Sequence, residues 1–132
     1  MITQYITMFF AVLVPMIIMD GVWLGVISKS FYARHLGFLM TSHPNWVAIV
    51  IFYILYAVGI VVFVVQPGLA SGASVMKIAL LGAFLGLVAY GTYDLTSHAI
   101  VNNWPGIVTV VDMIWGAFIT GAVSVIAYMV LK

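Results

Sequence analysis

The chain has three acidic side chains, Asp20, Asp94 and Asp112, and no glutamate. Each lies inside a long apolar stretch, and no basic residue lies deep in the same stretches to pair with it. An aspartate near the centre of a membrane helix costs about 2.5–3.5 kcal/mol on the insertion scale. A carboxylate kept at that cost is a functional candidate by default. Three chemistries suit it: sharing a proton, holding a cation, or ligating a metal. The positions also agree in depth. Asp20 stands about eight residues before its stretch ends, Asp94 about seven before, and Asp112 about six after its own begins, or roughly 9–12 Å from one face. Three helices would therefore present their carboxylates in one layer.

The neighbours at helical spacing supply the rest of a pocket, since residues three and four apart share a face. On the third stretch Gly82, Gly86, Tyr90, Asp94 and His98 form one row, with Ser97 beside it; on the fourth the row is Asp112, Gly116, Thr120 and Ser124, with Trp115 adjacent. Asp20 is flanked by Trp23, and Pro15 upstream predicts a bend. The second stretch has no acid but offers Tyr53 and Tyr56 at similar depth. The ligand- or proton-binding candidates are Asp20, Asp94, Asp112, Tyr53, Tyr90, Trp23, Trp115 and Ser97. A metal set would be Asp94 and His98 with Asp20 and Asp112, an oxygen-rich group better suited to magnesium or manganese than to zinc. Plain structural roles stand beside these: Gly82-xxx-Gly86 and Gly116-xxx-Thr120 read as packing seams. Tyr5, Trp46, Trp104 and Tyr128 read as an aromatic belt, for which Trp115 is too deep.

The elements that must carry these side chains follow from composition. Of the 132 residues 66% are hydrophobic and 5% charged, against roughly 25% charged in a soluble domain. Lipid is the solvent that such a chain requires. About 20 apolar residues make a membrane-spanning helix, and four stretches qualify: about 5–27, 46–65, 77–100 and 106–131. The fold class is an all-α, four-transmembrane-helix bundle forming a single domain over 1–132. The 28–45 connection, with Phe31, Tyr32, Leu36, Leu39 and Met40 among Lys29, Arg34 and His35, reads either as a short interfacial helix or as a solvated loop. Four spans leave both termini and the loop near Pro67 on one face (face A), and the 28–45 and 101–105 connections on the other (face B). Each face carries two of the four Lys and Arg residues, so the positive-inside bias is balanced. A net charge of +1 gives no footprint for nucleic acid, and the absence of cysteine excludes thiol chemistry. A faint echo relates the two hairpins, each with an acid followed by Asn-Trp at Asn45-Trp46 and Asn103-Trp104.

Read in order, Asp20-Gly-Val-Trp-Leu-Gly25, Phe31-Tyr32, Pro44-Asn45-Trp46, Phe52-Tyr53 with Tyr56, Tyr93-Asp94-Leu95-Thr96, Trp104-Pro105 and Asp112-Met-Ile-Trp115-Gly116 resemble the DUF2177 family of small bacterial membrane proteins. The chain departs from the family pattern at Ser97, where asparagine is usual. The resemblance implies four helices and a bacterial inner-membrane location, and no activity.

Three kinds of function fit. The first is binding or translocation of a proton, metal ion or small cationic ligand in an acidic and aromatic pocket, with a homodimer expected because four helices make a small transporter. The second is a metal-dependent membrane enzyme acting on a lipid, with an open metal position for water. The third is an accessory subunit of a membrane complex that holds lipid, quinone or pigment. The first is favoured because no basic partner, nucleophilic triad or histidine pair accompanies the aspartates.

Overall fold

A computed structural model describes residues 1–132. The chain is 85% helical and has no strands. Four helices are long and apolar enough to cross a membrane: α1 (Ile2–Ile27), α3 (Trp46–Ser71), α4 (Val75–Ile100) and α5 (Gly106–Leu131). A short α2 (Lys29–Leu36) lies between the first two. In hydrocarbon a backbone satisfies its polar groups internally, so apolar runs of this length become helices. Polar residues mark their ends. Asn45 accepts from the Ala48 amide at 3.1 Å and Ser74 from the Lys77 amide at 3.1 Å, each side chain capping the helix that follows it.

The structure differs from the sequence expectations at several boundaries. Gln66-Pro67-Gly68 signals an end to the second span, yet α3 continues to Ser71. A π-turn at Val61–Val65 precedes the proline, closed by the Gln66 amide on the Val61 carbonyl, and the helix continues through a residue that has no amide hydrogen to donate. The helix stops at Gly72, whose φ of +63° suits glycine, and the Ala73 amide turns back to the Gly68 carbonyl at 3.0 Å. The connection after α1 does hold a helix, but Leu39 and Met40 lie beyond its end. Helix α1 runs through Pro15 without interruption, and its irregularity comes later, as a π-turn at Trp23–Ile27. The Ser28 amide and hydroxyl close that turn on the Trp23 carbonyl at 2.8 and 2.7 Å.

The two hairpins pack differently. Helices α4 and α5 lie against each other along their length, because glycines bring their backbones together. A Cβ on Gly82 would meet the Ser124 side chain and the Thr120 carbonyl, one on Gly86 the Gly116 carbonyl, and one on Gly116 the Tyr90 ring. Helix α1 packs on α5 and on α3, while α3 reaches α4 and α5 through its π-turn. The face-A half of the bundle is filled by ten buried apolar residues, among them Met8, Val12, Ile60, Val65, Ile119 and Val123. The other half of α3 is different. No residue from Trp46 to Tyr56 is buried, so this segment stands off from α4 and leaves a space behind it.

Candidate functional site

That space is a cavity of about 700 Å³ on the face-B side, lined by 17 residues of which 13 are hydrophobic. Helix α1 contributes Asp20, Trp23 and Leu24; α2 contributes Lys29, Tyr32 and Leu36; α3 contributes Ile49, Phe52, Tyr53 and Tyr56. Ala89, Tyr90 and Tyr93 come from α4, and Asp112 and Trp115 from α5. Met40 and Pro44, from the connection before α3, line its outer end. The volume lies within the range of small-molecule sites, which are mostly apolar with a few placed polar groups.

The polar groups are held in two linked sets. The Asp20 carboxylate accepts from the Tyr53 hydroxyl at 2.8 Å and from the Trp115 indole N–H at 3.0 Å. Asp112 accepts from the Tyr32 hydroxyl, which in turn accepts from the Trp23 indole N–H at 3.3 Å. The sets are joined by the two indoles, stacked at 4.4 Å and 8° between planes. The π-turn that begins at Trp23 is part of this construction, since it reshapes the backbone one turn beyond Asp20. Deeper in the bundle the Tyr56 hydroxyl and Thr120 are 2.7 Å apart, and Tyr56 meets Tyr90 edge to face at 6.3 Å.

Asp94 is the exception. It is 0% exposed, its carboxyl interacts with that of Asp112, and no N–H or hydroxyl donor reaches its oxygens. A buried carboxyl with no donor is costly, and none of the groups hydrogen-bonded to Asp20 or Asp112 is cationic. The arrangement therefore presents negative charge, or a proton shared between two carboxyls, behind an aromatic wall.

Of the residues singled out from sequence, Asp20, Asp112, Trp23, Tyr53, Tyr90 and Trp115 line the cavity, and Asp94 backs it through Asp112. Ser97 is half-buried and does not line the cavity. His98 is exposed, its Nδ1 lying 3.3 Å from the Thr109 hydroxyl, to which the Trp104 indole N–H also donates. No three His and Asp side chains come together as a metal would need, so Asp94, His98, Asp20 and Asp112 do not form one ligand set here. Sequence reasoning missed Tyr32, Tyr93 and Lys29. Tyr32 lies 80 residues from the carboxylate it serves, and its only sequence signal is its place in the Phe31-Tyr32 motif.

The family model described as predicted membrane protein (DUF2177) matches residues 5–129. The chain belongs to the DUF2177 family. No curated protein and no solved structure matches it. Every residue that lines the cavity falls within the matched span, so the pocket belongs to the part of the chain that defines this DUF2177 membrane protein.

Proposed function

We propose that this DUF2177 protein binds a small organic cation, with the positive charge set against Asp20 and Asp112 inside the bilayer. The observation that carries the reading is a cavity of about 700 Å³ with those two carboxylates in its wall beside Trp23, Tyr53, Tyr90 and Trp115. Aromatic faces attract a cation, the more so when it is desolvated. The size favours an organic ligand over a bare ion or a proton, and the donor set speaks against a resident metal. Asp94 has a part in this reading. A proton shared between Asp94 and Asp112 compensates that pair and leaves one negative charge on it to meet the cation beside Asp20. The ten-residue apolar cluster supports loading from the face-B half, because it separates the cavity from face A. The family resemblance supports the bacterial inner membrane as the setting.

Equilibrium dialysis of benzyltrimethylammonium against the detergent-solubilised protein tests the proposal. Saturable binding is expected, weakened about tenfold or more, ~1.4 kcal/mol, in Asp20→Asn and in Asp112→Asn. Binding that survives in the double variant would sink it.

A further inference from the structure

We infer that the ligand is a lipid-borne zwitterion, an ammonium tethered to a phosphate, whose headgroup slides in between α3 and α4 while its chain stays in the bilayer. This rests on the cation-binding reading and adds to it the ligand's second charge and its route. The route comes from the helix arrangement. Around the bundle α3 packs on α1, α1 on α5 and α5 on α4. The fourth side is different. On the cavity's level α3 meets α4 through Tyr56 and Tyr90, and beyond them toward face B no residue of α3 is buried. Phe52 on one helix and Tyr93 on the other line the cavity and are themselves about half exposed, at 44% and 54%. The pocket therefore has an apolar side door onto acyl chains, at a depth where a headgroup has only a short distance to travel.

The second charge comes from Lys29. It is the one cationic residue lining the cavity, and it sits at the start of α2, toward face B from Asp20 and Asp112. A ligand carrying only a positive charge leaves Lys29 without a counter-ion. One carrying only a negative charge would pair with Lys29 and leave the two carboxylates uncompensated. A molecule with its ammonium inward and its phosphate outward satisfies both ends, and the mostly apolar remainder of the lining suits the first carbons of its chain.

The test is native mass spectrometry of the protein in detergent with three single-chain amphiphiles: lysophosphatidylethanolamine, lysophosphatidylglycerol and hexadecylammonium. Soluble phosphoethanolamine serves as competitor. The zwitterion should be retained in preference to the phosphatidylglycerol form and should resist the soluble headgroup. Lys29→Gln should weaken its retention about fivefold, the upper range for an exposed ion pair, while hexadecylammonium binds that variant no less well. Lys29 is a surface residue, so the variant folds. Equal retention of the two lysolipids, indifference to Lys29→Gln, or displacement by phosphoethanolamine alone would each overturn the lipid assignment. If hexadecylammonium binds and the zwitterion does not, this inference fails and the cation reading stands. If no amphiphile binds, this inference fails, and the cation reading fails with it only where benzyltrimethylammonium is not bound either.

Discussion

The hydroxyl of Tyr32 is the one contact by which a residue outside the four long helices reaches the carboxylates. Burial first, and then the Asp112 carboxylate that accepts its hydrogen bond, push this phenol well above its ordinary 10.0. The fold thus favours the neutral donor. Its contribution is complete below pH about 10 and declines only as the pH climbs from there through the raised value. Tyr32→Phe should therefore lower stability by about 1.5–3 kcal/mol near neutrality, as for loss of a hydrogen bond to a charged group. The gap between variant and parent should begin to close only in the alkaline range. Thermal melting in detergent across pH would show it, and a gap that closes below pH about 9 would contradict the assignment. That Asp20 and Asp112 line one cavity was legible because position along a helix and helical period are properties of the sequence itself. Tyr32 was not, because no local pattern ties a side chain on α2 to one on α5.

Glycine placement decides how the long helices meet. Gly86 has the Gly116 carbonyl and the Thr120 hydroxyl where a Cβ would go, whereas Gly59 has nothing within 4 Å. Gly86→Ala should cost about 1–3 kcal/mol, the range for overpacking, and Gly59→Ala should be nearly neutral or slightly stabilising. Comparing their melting temperatures in one detergent separates the two, and equal effects would show that the seam is looser than described. The seam was legible from the small-xxx-small spacing, as were the four helices from hydropathy. The π-turns were not. At Val61–Val65 the wider turn lies in an apolar run that continues through a proline otherwise read as punctuation, and at Trp23–Ile27 no residue type announces it. The splay of α3 was hidden for another reason. Nothing in the hydropathy of Trp46–Tyr56 distinguishes a face turned to lipid from one turned to a cavity.

At the scale of the molecule, an open half toward face B sits on a closed half toward face A. Because the chain has no cysteine, an introduced thiol reports its position without interference. Ala89→Cys, on the cavity wall, should react with a small maleimide in membranes. Val123→Cys, in the apolar cluster and fully buried, should stay protected. Labelling of both at the same rate would mean that the apolar seal is not intact. The tight hairpin carries a further implication, for how the protein is made. Asp94 is fully buried, and the carboxyl that interacts with it, Asp112, is on α5, yet during synthesis α4 is complete before α5 exists. Released alone, it would bare that carboxyl to acyl chains. The five residues between the two helices are too few to let them wander apart. Biogenesis is therefore best served if α4 waits at the insertion machinery until α5 emerges, and the pair leaves for the bilayer as one unit.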